Sequence, residues 1–61
     1  MKKVSLKFET ILRLFEFLDV SAITRYQVDR ISNIIIAELN NADIELAERS
    51  YRAKVIRVQA G

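Results

Sequence analysis

The chain has 61 residues, which is enough for a single domain, predicted over residues 1–61. It contains no cysteine and no histidine, so disulfides and the usual thiolate or imidazole metal sites are excluded, and neither a metal nor a cofactor is expected. The net charge is +2 and 51% of the residues are hydrophobic, which excludes a disordered chain, and no apolar run is long enough to span a membrane.

The first part of the chain predicts a strand followed by a helix. Residues 2–8 alternate polar and apolar side chains, which is the period of a strand. One face carries Val4, Leu6 and Phe8, and the other carries Lys3, Ser5 and Lys7. From Glu9 onward the apolar residues recur at spacings of three and four, which predicts a helix over residues 9–19.

The middle of the chain predicts a β-hairpin. Residues 22–28 alternate again, and residues 29–33 are rich in side chains that favour turns. The three consecutive isoleucines at 34–36 are β-branched, which favours a buried strand ending near Leu39. If residues 22–39 were instead helical, the chain would be one strand followed by two or three helices, and this alternative stays open at the level of the sequence.

The faces of the isoleucine strand need a separate assignment because successive side chains of a strand point to opposite sides. We assign Ile34 and Ile36 to the helix-covered core, in phase with Tyr26 and Val28 across the hairpin. Ile35 is then expected on the open face of the sheet, together with the next residue but one, Ala37.

The last part of the chain predicts a second helix and a final strand. Asn40 stands three residues before Asp43, which resembles a capping box at a helix start. The helix is expected to run to about residue 53, and residues 54–59 are expected to form a short strand. The whole order is β-α-β-β-α-β, which predicts an α+β ferredoxin-like sandwich with both helices on one face of an antiparallel sheet.

Carboxylates and arginines at helical spacing predict ion pairs on the helix surfaces. Glu9 precedes Arg13 by four residues in the first helix. In the second helix the same spacing separates Glu45 from Arg49 and Glu48 from Arg52. These acids are therefore expected to stabilise helices, and no catalytic arrangement is indicated, so the chain is not expected to be an enzyme.

The C-terminal half of the sequence and its overall pattern each resemble a group of known proteins. The stretch containing ADIELA and the pattern Y-x-A-x-V resembles the C-terminal half of short bacterial proteins of uncharacterised function. The whole pattern is similar in architecture to the heavy-metal-associated domain, which binds metal through Cys-x-x-Cys after its first strand. Here Glu9, Thr10, Ile11 and Leu12 occupy that place, so the metal function does not carry over.

The opening MKKVSLKF resembles that of ribbon-helix-helix repressors. In that family a strand from each of two chains pairs, and its polar face, here Lys3, Ser5 and Lys7, reads the major groove of DNA. The sequence departs from the family because it has no proline at the strand-to-helix junction and no glycine between the helices. A DNA-binding regulator of this type is therefore the alternative interpretation.

The uneven distribution of charge indicates where a partner would bind. The first eight residues carry +3, residues 49–61 carry +4, and the middle carries −5. If the first and last elements are neighbours, they form one positive patch that attracts anions, although nucleic acid is a less favoured partner than protein. Tyr26 and Tyr51 are candidates for base stacking, but both lie on apolar stripes that favour core packing.

The expected function is that of a small interaction or regulatory module in the cytoplasm. A core of this size is marginal without disulfides or metal, so self-association as a homodimer is expected, through the sheet face opposite the helices. The candidate interaction residues are Lys3, Ser5, Lys7, Arg25, Ile35 and Ala37.

Overall fold

The computed structural model describes residues 2–60, and Met1 and Gly61, the two ends of the predicted domain, lie outside the described residues. Its elements are β1 (Lys2–Lys7), α1 (Ile11–Ser21), β2 (Tyr26–Asp29), β3 (Ile34–Leu39), α2 (Asn41–Ser50) and β4 (Lys54–Ala60). The four strands form one antiparallel sheet in the order β2-β3-β1-β4. The predicted ferredoxin-like order is confirmed, and the alternative of one strand followed by helices is wrong.

The core lies between one face of the sheet and the two helices. Its buried apolar side chains are Val4, Leu6, Phe8, Leu14, Phe17, Ile35, Ala37, Leu39, Ala47 and Ala53. Phe17 of α1 lies at the centre of an aromatic group, with its ring centroid 5.5 Å from Phe8 and 5.9 Å from Tyr51. Burial of each large side chain contributes about 1.5–3 kcal/mol, so the few such residues here hold most of the stability.

The orientation of β3 is the reverse of the one that the sequence suggested. Ile35 is 0% exposed and belongs to the core, and Ala37 is buried with it. Ile34 and Ile36 are half-buried and lie on the opposite face. The assignment of Ile34 and Ile36 to the core, and of Ile35 and Ala37 to the open face, is therefore wrong.

Pairing with the neighbouring strands explains this orientation. Residues directly opposite each other in an antiparallel ladder project to the same face of the sheet. Ile35 lies opposite Leu6 of β1 on one side and opposite Val28 of β2 on the other. Because Asp29 pairs with Ile34 across the turn, Val28 projects to the same side of the sheet as Ile35. Ile34 and Ile36 project to the other side.

Each helix begins at a side-chain cap. The Thr10 hydroxyl accepts a hydrogen bond from the backbone N–H of Arg13 at 3.2 Å, and α1 begins directly after it. The predicted start at Glu9 is therefore too early, and Glu9 lies outside the helix. The Asn40 side chain accepts from the backbone N–H of Asp43 at 2.8 Å, which confirms the predicted cap of α2.

Three turns use left-handed backbone without glycine. Ala22 ends α1 with a φ of 53°, Asn33 ends the β2–β3 turn with 57°, and Arg52 follows α2 with 54°. A β-carbon in this region costs about 1–2 kcal/mol, and asparagine tolerates it best. The left-handed residue Arg52 turns the chain away from the helix axis, so α2 ends at Ser50 and not at the predicted residue 53. The Ala53 N–H donates to the Ala47 carbonyl at 3.0 Å across this turn.

Replacing Asn40 by alanine is expected to lower the free energy of unfolding by about 0.5–2 kcal/mol, because α2 loses the acceptor for its first free N–H groups. Asn41→Ala is the matched control. It makes the same change one residue later, at an exposed helical position, where we expect an effect within about 0.5 kcal/mol. Urea denaturation of both variants measures the difference, and equal losses would contradict a cap at Asn40.

Candidate functional site

The sheet face opposite the helices is not covered by any described element. We call it the open face and define it by the side chains that alternate away from the core on the four paired strands. They form three rows across the sheet: Asp29, Ile34, Lys7 and Lys54; then Gln27, Ile36, Ser5 and Arg57; then Glu38, Lys3 and Gln59. The first and last strands are therefore neighbours, as the charge distribution required for a single positive patch.

The open face is divided by charge. The β1 and β4 side carries the cations Lys3, Lys7, Lys54 and Arg57, and the β2 and β3 side carries the carboxylates Asp29 and Glu38. Lys7 and Lys54 lie directly opposite each other, and like charges in this position repel. Ile34 and Ile36 lie on β3 in line with Glu38, between Asp29 of β2 and the cations of β1. The face therefore offers a short apolar ridge with positive charge on one side and negative charge on the other.

Three of the six predicted interaction residues lie on the open face. These are Lys3, Ser5 and Lys7, which alternate with the buried Val4 and Leu6 as the pattern of β1 predicted. Ile35 and Ala37 are buried beneath the face, so they are not available to a partner. Ile34 and Ile36 lie on the open face instead.

Arg25, the remaining predicted residue, lies just before β2 at one end of the open face. Together with Lys3, Ile36 and Glu38 it lines a hollow of about 420 Å³. The structure therefore brings Arg25 and Lys3 to one place, as the prediction required. A carboxylate, Glu38, lies between these two cations in the lining.

The six predicted interaction residues did not include the cations of β4, although the charge distribution had grouped these cations with those of β1. Lys54 and Arg57 both reach the open face although they are three residues apart, because the register of the β1–β4 pair shifts between Ser5 and Leu6. A β-bulge of this kind adds one residue to a strand and breaks its alternation. No regular period in the sequence marks it.

The surfaces of the helices carry fewer ion pairs than the spacing predicted. Within residues 2–60 the one ion pair joins Arg13 and Glu16, with 3.8 Å between nitrogen and oxygen. The predicted pairs of Arg49 with Glu45 and of Arg52 with Glu48 are not formed, and neither is that of Arg13 with Glu9. Glu9 and Arg52 lie outside the helices, and an exposed pair such as Glu45 with Arg49 contributes only about 0.3–0.5 kcal/mol.

The two tyrosines do not form a stacking surface. Tyr51 packs edge-on against the Phe17 ring in the core. Tyr26 lies opposite Ala37, on the helix side of the edge strand β2, and is 47% exposed. The open face as defined above therefore contains no aromatic ring.

Neither a metal site nor a membrane span is present in the part of the chain that the structure describes. Between residues 2 and 60, no three or more carboxylate, imidazole or thiol side chains lie close enough together to hold a metal ion. Over the same range neither helix has the length and apolar character to cross a bilayer.

Similarity to known proteins does not identify a function, because comparisons of the chain with protein families, with curated proteins and with solved structures find no significant match. The function is therefore inferred from the open face and from the charges around it.

Proposed function

We propose that the chain is a non-enzymatic interaction module that self-associates as a homodimer through its open face. The observation that carries the proposal is the order of the charges in the two outer rows, which is self-complementary. A dimer also supplies the apolar burial that a chain of this size lacks, since one small core seldom contributes more than about 3–5 kcal/mol.

The arrangement that uses this complementarity has its two-fold axis parallel to the strands, between β1 and β3. Rotation about that axis stacks β1 of one copy on β3 of the other, and β4 on β2. In the outer rows it sets Glu38 against Lys3 of the second copy, and Asp29 against Lys54 of the second copy. Each contact occurs twice because the interface is isologous.

The same arrangement covers the apolar ridge. Ile36 packs over Ser5 of the second copy, and Ile34 packs over the aliphatic stem of Lys7, whose ammonium group reaches the rim. In the middle row, Gln27 faces Arg57 of the second copy. An axis perpendicular to the strands would instead stack cations on cations, so the charges select the first arrangement.

The dimer is expected to be weak. The molecule measures 27 × 20 × 20 Å, and its sheet covers about 400 Å² in plan, from about 4.8 Å between strands and 3.3 Å per residue. Two such faces bury about 800 Å² in total, which is below the roughly 1,200–2,000 Å² of stable complexes, so we expect a dissociation constant no tighter than micromolar. Sedimentation over a range of concentrations is therefore the suitable measurement.

The strand-paired mode of the ribbon-helix-helix repressors does not fit this fold. In that mode the first strands of two chains pair with each other, which requires a free edge on β1. Here β1 is hydrogen-bonded to β3 on one side and to β4 on the other. We therefore favour association through the open face over a DNA-binding regulator of that type.

Two variants that each reverse one charge of the interface test the dimer, first separately and then in a mixture. Lys3→Glu and Glu38→Lys are each expected to weaken self-association about tenfold, because each places two like-charged contacts in the interface. Mixed together, the two variants should recover association, since every outer-row contact between them again joins opposite charges. Recovery in the mixture depends on contacts between copies and not on pairing within one chain.

Glu45→Lys is the matched control because it reverses a charge on the exposed surface of α2. It is expected to self-associate like the unmodified chain. Mixing it with Lys3→Glu should bring fewer Lys3→Glu chains into dimers than mixing with Glu38→Lys does, because one contact of Glu38 with position 3 then still joins like charges. A mixture of Lys3→Glu and Glu38→Lys that sediments as monomers would show that the proposed interface is wrong.

A further inference from the structure

A cavity of about 550 Å³ lies at the end of the molecule where α1 begins and α2 ends. Three arginines line it: Arg13 of α1, Arg49 of α2, and Arg52 of the turn that follows α2. The lining is completed by Glu9, Thr10, Ser50 and Tyr51. One acidic residue therefore accompanies three arginines and three residues with hydroxyl side chains.

Two of these arginines have no ion-pair partner within residues 2–60. Arg49 follows Glu45 by four residues on the same helix, which is a suitable spacing for a pair, yet the single ion pair in this range is that of Arg13 with Glu16. Arg52 has left-handed backbone, a conformation unfavourable for arginine, and this conformation holds it in the turn beside the cavity. Three arginines against one carboxylate leave the lining with a net positive charge.

A second hollow continues the positive surface. Its volume is about 370 Å³, and it shares Glu9 and Arg52 with the arginine cavity while adding Lys7 and Lys54. Five cationic side chains thus surround Glu9 at this end of the molecule. Concentrated like charge in a concave site raises the local concentration of anions.

The chemistry of the lining indicates the class of ligand. Guanidinium groups bind phosphate through two parallel hydrogen bonds, and hydroxyl groups supply further donors to phosphate oxygens. The volume lies within the range of about 300–1,000 Å³ that is typical of small-molecule sites, and it exceeds the need of one phosphate group. We propose that the cavity binds a small molecule that carries a diphosphate group. The residues that line this cavity take no part in the proposed dimer interface, and only the neighbouring hollow shares Lys7 and Lys54 with it.

Calorimetric titration of the full chain with inorganic pyrophosphate tests the proposal. We expect saturable binding of one pyrophosphate per chain, and weaker binding of orthophosphate. Arg49→Gln and, separately, Arg13→Gln are expected to weaken pyrophosphate binding about tenfold each, because each removes charge-assisted hydrogen bonds. Circular dichroism confirms that both variants fold, which the exposure of these side chains leads us to expect.

Arg30→Gln is the matched control, since it removes the same charge on the β2–β3 turn, outside the cavity lining. It is expected to leave pyrophosphate binding unchanged. Equal weakening by Arg30→Gln would show non-specific attraction, and the absence of saturation at millimolar pyrophosphate would show that there is no site. A single-stranded oligonucleotide that binds more tightly than pyrophosphate, and whose binding also requires Lys3, would replace the proposal with an extended nucleic-acid surface.

Discussion

Ile35→Asp is expected to unfold the protein, whereas Ile36→Asp should leave it folded. Ile35 is fully buried against Leu6 and Val28, so a carboxylate there has neither water nor a cation beside it. Burial of an unpaired charge costs several kcal/mol, which is as much as the total stability of so small a domain. Ile36 lies on the open face, where a carboxylate reaches water. Circular dichroism and thermal melting of the two variants measure the difference.

The same pair of variants separates folding from association. Ile36→Asp removes apolar surface from the ridge of the open face and places a charge within the proposed interface, so we expect it to sediment as a monomer. A folded Ile36→Asp variant that stays dimeric would contradict association through this face. Tolerance at Ile35 together with loss of fold at Ile36 would show that β3 has the opposite orientation.

Phe17→Ala is expected to cost about 3–5 kcal/mol, which leaves the chain largely unfolded. Phe17 is fully buried and packs against Phe8 and Tyr51, so its removal leaves a cavity in the middle of the core. Denaturant unfolding followed by circular dichroism gives the loss of stability.

Phe15→Ala is the matched control on the same helix. Phe15 is 41% exposed, and the Arg30 guanidinium lies over its ring at 5.6 Å. Loss of this contact is expected to cost about 0.5–1 kcal/mol, because the site is exposed. Comparable damage from the two substitutions would mean that α1 packs on the sheet through a different face.

The elements with a clear period or a clear cap were predictable from the sequence. In β1, polar residues alternate strictly with apolar ones, and this alternation correctly separated the buried Val4 and Leu6 from the polar face. The start of α2 was equally clear, because an asparagine three residues before an acidic residue gives a local signal that does not depend on the rest of the fold. The start of α1 follows from the cap at Thr10 and not from the apolar spacing, which alone predicts a start too early, at Glu9.

The faces of β3 are only weakly marked in its own sequence. Three consecutive isoleucines and an alanine make both sides of the strand apolar at its start. Only the last two residues indicate which side meets the helices, since Glu38 is in phase with Ile34 and Ile36, and Leu39 with Ile35 and Ala37. That choice is made by register, and a register shift of one residue exchanges the two faces. The alternation of β1 determines the outcome, since Leu6 pairs with Ile35 and Val4 with Ala37.

The candidate site was predictable only in part, because several of its residues are brought together by a bulge and by tertiary packing. The cations of β1 follow from its alternation, whereas those of β4 reach the open face through a bulge that no local pattern reveals. The arginine cavity joins residues from both helices and from a left-handed turn, so it exists only once tertiary packing brings Arg13 near Arg49 and Arg52. Sequence spacing assigned those arginines to helix ion pairs instead.

The central position of β1 also has a consequence for the rate of folding. Its two neighbours are β3 and β4, so the pairing of β1 with β4 joins the first and last elements that the structure describes. Closing so long a loop costs chain entropy before any contact compensates for it, and proteins dominated by such distant pairings fold more slowly than those with local contacts. The β2–β3 hairpin pairs neighbouring segments and is marginal alone, whereas Leu6 acquires both of its strand neighbours only when two distant segments meet. Burial of the core and closure of the sheet are therefore one cooperative event.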